Sequence, residues 1–338
     1  MSISAGFWDV MHHLLNKPET FFSPPHALLY FGVATALVGS IILFLSWRWL
    51  DPESRSMWRF PFIAGIGGIF ILVAAGPIDF AWHSAFGLDG LLSPPHQILL
   101  SGMFLCAISS AISIIRYTAR HHPPSGLAMR GATLTLLAGW LTVLGYIYSY
   151  SLPFSDTEFF QFNPDVWFAA TFATITLPFV GAVVLILASR LVNLRFGVLS
   201  CLGAALLAVN GAATILSNPA LGASIPFYAM AIIPIMAADY IISSYKNRRG
   251  IIAAGIIVGP LFYFMYYPYV TYIYNGVIFN KVISGSVTFQ VFFEQLPIII
   301  PAAIVPAIVM GILGAVLSDR IVPVITGKKA YHETITHT

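Results

Sequence analysis

The fold of this chain is decided by IDFAWHSAFGLDGLLSPPHQILLSGMFLCAISSAISII, residues 78–115, in which two ligand-type side chains precede a turn and a long apolar run. Asp79 and His83 are four residues apart, so both side chains lie on one face of a helix. Ser-Pro-Pro follows, and proline in the first turn is typical of a helix start, which places His96 at the beginning of the next helix. The stretch therefore predicts a helix hairpin that can close three ligands around a cation.

The same pattern occurs seventy residues earlier, where FFSPPHALLYFG (residues 21–32) corresponds to LLSPPHQILLSG (residues 91–102). Asp9, His13 and His26 are the counterparts of the three ligands. A further step of seventy residues reaches no Asp or His, so the duplication ends within about the first 120 residues. We therefore predict two regions: a duplicated hairpin region over residues 1–125 and a six-helix transmembrane bundle over residues 126–338.

Composition places the chain in the membrane. Hydrophobic residues make up 58% of the sequence and charged residues 9%, and the mean hydropathy is +0.85, which excludes a soluble domain of this length. The strands of a membrane barrel would be short segments in which apolar and polar residues alternate. The long apolar runs of this sequence instead predict an all-α integral membrane protein that spans the lipid bilayer. Nine runs are long enough: 25–47, 61–82, 94–115, 131–151, 166–188, 197–217, 225–244, 251–272 and 297–318.

The distribution of basic residues predicts the orientation, because cytoplasmic loops retain Lys and Arg. Of the sixteen Lys and Arg, only Lys17 and Lys281 fall in the connections on the same side as the amino terminus. We expect the amino terminus outside, the carboxyl terminus inside, and both hairpins open on the extracytoplasmic side of the plasma membrane. Residues 5–15 read as a short interfacial helix ahead of the first span.

Charge and cysteine content exclude other classes. The net charge of +3 comes from the inner loops, so it indicates membrane insertion and gives no support for nucleic-acid binding. Cys106 and Cys201 lie in separate spans, so neither a disulfide framework nor a thiolate metal site is indicated. No cleavable signal peptide is expected, because the first 24 residues lack an apolar core.

The helix dipoles make both sets of one Asp and two His suitable for binding a metal ion. A carboxylate near the carboxyl end of a helix faces the negative end of the dipole, which costs about 0.3–1 kcal/mol unless a cation lies there. An imidazole at a helix start is kept neutral and ready to ligate. Two His and one carboxylate suit iron, copper or zinc, and the ligands alone do not choose among them. The alternative is interfacial histidines satisfied by water or backbone, but the retention of all three positions in both copies favours a metal.

Other polar residues were weighed as candidates. His12 is a spare or supporting group, because Trp82 occupies its place in the second copy. Asp239 is expected to pair with Lys246 or Arg248, and the aromatic run at 262–267 is expected to anchor at the membrane interface. An acidic outer loop is either a partner surface or simply solvated, and four further histidines are expected to be solvated. These residues are Asp156, Glu158, Asp165, His121, His122, His332 and His337.

The Asp-x3-His pattern followed by a histidine thirteen residues later resembles the C subunit of the copper membrane monooxygenases, the particulate methane and ammonia monooxygenases. The matching positions are Asp9, His13, His26, Asp79, His83 and His96. In that family the second site has asparagine where Asp79 stands here. IPIMAADYIISSYKNRRGIIAAGIIVGPLFYF, residues 233–264, has a weaker similarity to the family's A subunit.

The resemblance implies copper at the outer face and activation of dioxygen to oxidise a small substrate such as ammonia, methane or a short hydrocarbon. It also implies a separate cupredoxin-containing partner subunit and a homo- or hetero-oligomer. The sequence leaves open whether the protein is catalytic. A membrane protein that handles copper or zinc without chemistry and a purely structural role for the hairpins are the alternatives.

Overall fold

The computed structural model describes residues 2–14, 20–87, 92–120, 126–151, 166–191, 196–217, 219–245, 247–278 and 296–326. Within these ranges the regular elements are helices, and no strand occurs. The helices are α1 (Ser2–Leu14), α2 (Pro24–Trp47), α3 (Pro52–Phe86), α4 (Pro94–Arg120), α5 (Gly126–Ser151), α6 (Val166–Leu191), α7 (Val198–Ser217), α8 (Ile225–Met230), α9 (Ile232–Ser244), α10 (Arg248–Ile278) and α11 (Leu296–Ile325), with a 3-10 turn at Pro219–Ser224 between α7 and α8.

Seven of the described helices are long and apolar enough to cross a bilayer, namely α2, α3, α4, α6, α7, α10 and α11. Two shorter apolar stretches, Leu134–Ile147 and Tyr228–Ser244, coincide with the predicted fourth and seventh spans. The predicted run at 225–244 is not one continuous helix, because it divides between α8 and α9 at Ala231. The described part of the chain is therefore helical, and its long apolar helices are those of a multi-pass membrane protein, as the composition predicted.

The sequence repeat is also a repeat of helix contacts. A side chain on Gly32 of α2 would collide with Ser2 of α1, and a side chain on Gly102 of α4 would lie 2.8 Å from the Leu72 side chain of α3. Both pairs are related by the seventy-residue offset. Ala5 and its counterpart Ala75 are both fully buried. Small residues at these points allow close helix approach, so α1 packs on α2 as the second half of α3 packs on α4.

The predicted amino-terminal helix is present as α1, and it packs against neighbouring helices of the bundle. The described side chains of α1 are buried or half-buried, and the helix runs antiparallel to α2. The Ser2 hydroxyl donates to the Leu29 carbonyl oxygen at 3.4 Å, and the Ser4 hydroxyl donates to Asn210 Oδ1 of α7 at 3.5 Å. The small residues at positions 2, 5 and 6 explain this packing, because they let α1 approach α2 and α7 closely.

The second half of the chain packs through glycines and one large buried cluster. A side chain on Gly259 of α10 would lie 2.8 Å from Gly311 Cα of α11, so these two helices are in backbone contact. Phe262 is fully buried and packs edge-on against Trp140 at 5.6 Å between ring centroids. The expectation that the aromatic run anchors at the interface is thus wrong at Phe262, which fills the core.

Asp239 has a different partner from the one predicted. Its carboxylate is fully buried, and Oδ2 accepts hydrogen bonds from the Gly197 and Ser200 backbone amides, at 2.9 and 3.0 Å, and from the Ser200 hydroxyl at 2.8 Å. It therefore caps the start of α7. Arg248 is exposed, and Lys246 lies outside the described residues.

Candidate metal centre

Asp79, His83 and His96 come together where α3 ends and α4 begins. Asp79 Oδ1 lies 3.5 Å from His83 Nε2 and 3.7 Å from His96 Nε2. One donor atom from each of the three residues lies within 4.8 Å of the other two. The three side chains are between 8% and 13% exposed, so the cluster is shielded from the surroundings.

Local sequence explains how the three side chains reach one point. Asp79 and His83 are one helical turn apart on α3, as their spacing predicted. The chain then turns and α4 begins at Pro94, where proline suits the first helical positions. His96 is therefore in the first turn of α4, facing back towards the last turns of α3.

The other ring nitrogens are held by groups around the cluster. His83 Nδ1–H donates to the Gly87 carbonyl oxygen at 2.9 Å, and His96 Nδ1 is hydrogen-bonded to the buried Ser93 hydroxyl at 2.8 Å. Because a carbonyl oxygen only accepts, the hydrogen of neutral His83 is on Nδ1 and a lone pair on Nε2 faces the Asp79 carboxylate. Two such electron-rich atoms repel unless a cation or a proton lies between them. Histidines that ligate metals are oriented in this way.

Gly87 makes this arrangement possible through an unusual backbone conformation. Its φ is +73° and its ψ is −169°, a region that essentially only glycine enters. The same residue also donates its N–H to the His83 carbonyl oxygen at 2.9 Å. The chain therefore folds back over the end of α3 and directs a carbonyl oxygen at His83.

In the first set, Asp9 and His26 come together, while the side chain of His13 lies outside the described residues. His26 Nε2 is 2.8 Å from Asp9 Oδ1, and His26 Nδ1–H donates to the Thr20 carbonyl oxygen at 3.0 Å. The 2.8 Å between Asp9 Oδ1 and His26 Nε2 brings a carboxylate oxygen and an imidazole nitrogen into direct contact. It is tighter than the corresponding pair in the second set.

His12 has its own hydrogen bond. The Trp8 indole N–H donates to His12 Nε2 at 3.1 Å. Trp8 and His12 are one helical turn apart on α1, so this contact is local to the helix. The role of His12 as a spare or supporting group stays a prediction.

Aromatic side chains connect the two sets. Phe21 packs edge-on against Phe80, with ring centroids 5.2 Å apart, and lies 4.9 Å from the ring of Tyr30. Tyr30 in turn stacks with His26 at 6.0 Å. Since Phe80 follows Asp79 directly, the two hairpins meet through these three rings.

Three residues around the sites were missed in the sequence, namely Thr20, Gly87 and Ser93. Ser93 could have been noticed, because serine precedes the histidine by three residues in both copies. Gly87 and Thr20 act through backbone carbonyl oxygens, which any residue carries, so their roles left no signal. The other polar candidates, Asp156, Glu158, Asp165, His121, His122, His332 and His337, all lie outside the described residues.

Comparisons of the chain with protein-family models, with curated proteins and with solved structures find no match. The similarity to the copper membrane monooxygenases accordingly depends on the motif residues alone.

Proposed function

We propose that this protein is a membrane metalloprotein that holds copper at Asp79, His83 and His96 and serves as a copper-dependent monooxygenase or a subunit of one. The observation that carries the proposal is the convergence of one carboxylate oxygen and two imidazole nitrogens within 4.8 Å. Oxidation of a small substrate such as ammonia, methane or a short hydrocarbon by dioxygen follows from the motif resemblance.

The donor set fits a transition-metal ion. Two ligand atoms that are each about 2.1 Å from a tetrahedral ion are about 3.4 Å apart, and the separations here are 3.5 and 3.7 Å. The Asp79 carboxylate would offset the charge of the ion at the negative end of the α3 dipole. Three protein ligands leave coordination positions open. Copper bound there would supply the redox chemistry that activates dioxygen.

The surroundings favour an apolar substrate. Ile78 and Phe80, on either side of Asp79, are 45% and 46% exposed. In a membrane protein such side chains face lipid, so a molecule dissolved in the bilayer reaches the site within one layer of side chains. We propose that Ile78 and Phe80 admit the substrate while His83 and His96 remain sequestered from water.

The wider arrangement belongs to the same proposal. Nine membrane crossings, an outer amino terminus and metal sites on the extracytoplasmic side of the plasma membrane follow from the hydropathy and from the distribution of Lys and Arg. Asp9, His13 and His26 would form a second metal site. A cupredoxin-containing partner subunit and an oligomer follow from the resemblance.

Metal handling without catalysis is the second candidate. Among the described residues, the cluster at Asp79 is the single group of three or more ligand-type side chains close enough to share an ion. A protein that only takes up or passes on copper needs a single ion site and no series of ligands through the bilayer, and one cluster among the described residues is compatible with that role. Finding iron or zinc at this site in place of copper would also favour a role other than copper-dependent oxidation.

One experiment separates these functions. The purified protein in lipid nanodiscs is compared with His83→Ala and with His332→Ala, a matched histidine change in the carboxyl-terminal tail. Copper per chain and dioxygen consumption with a reductant and each candidate substrate are recorded. We expect copper and substrate-dependent oxygen uptake in the parent and in His332→Ala, and loss of both in His83→Ala.

Copper that depends on His83 without oxygen uptake in the parent would support metal handling. A parent that binds no copper would contradict the copper proposal, and a parent that binds no transition metal at all would leave the hairpins a structural role. Asp9→Ala tests the second site, since it should lower the copper content without abolishing it.

A further inference from the structure

Two adjoining cavities lie at the end of the bundle opposite the metal centre, where α2 ends and α3 begins. The larger cavity encloses about 510 Å³ between the ends of α2, α3, α4 and α5. Four aromatic side chains line it, Trp47, Trp58, Phe62 and Tyr117, so we refer to it as the aromatic cavity. Its lining is almost wholly apolar, which suits a hydrocarbon chain.

The second cavity encloses about 440 Å³ and shares Trp47 and Phe62 with the first. The rings of these two residues stack, with centroids 4.1 Å apart. Arg55 and Arg59 line this second cavity, which we call the arginine cavity. An apolar space and a cationic space therefore lie on either side of one stacked pair.

Within the part of the chain that the structure describes, the two guanidinium groups of the arginine cavity have no carboxylate partner. Arg55 and Arg59 are both exposed and one helical turn apart on α3, where like charges repel. Arg55 Nη2 donates to the Arg48 carbonyl oxygen at 2.8 Å, a neutral acceptor. The Asp51 carboxylate accepts from the Ser54 backbone N–H at 2.9 Å instead. Among the described residues, no ion pair joins a carboxylate to Arg55 or Arg59.

A third arginine, Arg116, adds positive charge near the two cavities. Arg116 of α4 donates from Nε to the Ile325 carbonyl oxygen at 3.2 Å and from Nη1 to the Met57 carbonyl oxygen. Both of these acceptors are neutral carbonyl oxygens, and no ion pair of Arg116 occurs among the described residues. Met57 is on the same turns of α3 as the cavity lining, which places this charge beside the two cavities.

We propose that these two cavities together bind one anionic phospholipid, with its phosphate between Arg55 and Arg59 and an acyl chain in the aromatic cavity. A phosphate group is the natural partner of paired guanidinium groups, and basic pockets between membrane helices bind anionic lipid head groups. Aromatic residues at this depth contact the region between head group and chain. The proposal is independent of the metal centre.

The test is lipid retention measured by native mass spectrometry after reconstitution in equimolar phosphatidylglycerol and phosphatidylcholine. We expect one phosphatidylglycerol to remain on the parent protein. Replacing both arginines in Arg55→Gln/Arg59→Gln should weaken its retention about 30-fold, because each cation near a lipid surface contributes a factor of about five. The matched control is Arg248→Gln/Arg249→Gln, at exposed arginines that begin α10, which should retain the lipid.

Two further variants guard against loss of folding. Arg55→Lys/Arg59→Lys keeps the charge and should retain most of the phosphatidylglycerol. Gly131→Leu fills the aromatic cavity without changing any charge, and its Cβ would meet Ile114 at 3.7 Å, an ordinary contact, so it should also weaken retention. Equal retention of the two lipids, equal loss in both Gln variants, or full retention in Gly131→Leu would each overturn the proposal.

Discussion

Replacing Gly87 by alanine should weaken metal binding although residue 87 is not a ligand. Its φ of +73° and ψ of −169° lie in a region that costs other residues about 1–3 kcal/mol. The Gly87 carbonyl oxygen holds His83 Nδ1–H at 2.9 Å, a hydrogen bond with a net value of about 0.5–1.5 kcal/mol. Since the strain exceeds that value, we expect the alanine variant to relax and to move the carbonyl oxygen away from His83.

The size of the effect follows from the role of that hydrogen bond. Removing a group that orients a ligating histidine typically lowers metal affinity about 10–100-fold, which corresponds to about 1.4–2.7 kcal/mol. His83 would then rotate more freely, and Nε2 would have to be ordered on binding. We therefore expect Gly87→Ala to keep the metal stoichiometry of the parent while its dissociation constant rises by one to two orders of magnitude.

The assay is a competition titration with Cu²⁺ or Zn²⁺ against a chromophoric chelator, with helicity checked by circular dichroism. Gly197→Ala is the matched control, because Gly197 also has a positive φ, +101°, and has no atom within 4 Å of an added Cβ. It directly precedes α7, away from the ligands. Unchanged affinity in a folded Gly87→Ala protein, or an equal loss in Gly197→Ala, would refute the reasoning.

Two further substitutions test the packing of the second half of the chain. Gly259→Leu should separate α10 from α11 and lower the thermal midpoint in detergent, because an added Cβ would lie 2.8 Å from Gly311 Cα. Gly39→Leu, where an added Cβ meets nothing within 4 Å, should leave the midpoint unchanged, and equal shifts would contradict the packing argument. Asp239→Ala should cost about 2–4 kcal/mol in mixed-micelle unfolding, because it removes the acceptor for the Ser200 amide and hydroxyl. Asp239→Asn keeps one acceptor oxygen and should cost less stability. An alanine variant as stable as the parent would show that this cap is not needed.

Much of the candidate site could be predicted because its geometry is local. The four-residue interval between Asp79 and His83 places their side chains together on any helix. The two prolines before His96 place that residue in the first turn of the next helix. The repeat extended the prediction to Asp9 and His26. The structure places Asp9 Oδ1 2.8 Å from His26 Nε2, and in the second copy it places Asp79 Oδ1 3.7 Å from His96 Nε2.

Other features could not be predicted, because they depend on contacts between distant parts of the chain. Asp239 was expected to find a basic partner nearby, but α7 presents backbone amides to it from some forty residues earlier. The placement of α1 against α7 depends on Asn210, about two hundred residues away from Ser4. No periodicity within a single segment contains such information.

The sequence by itself determined that this is a helical membrane protein and which residues carry its ligand-type chemistry. Hydropathy and helical spacing are properties of consecutive residues, and a bilayer makes helices the way to satisfy the backbone of each apolar run. Only the tertiary structure decided which groups hold the imidazoles and which of the described arginines have no carboxylate partner. Those outcomes depend on which backbone carbonyl oxygens and side chains from separate helices come within hydrogen-bond distance, and packing alone sets that distance.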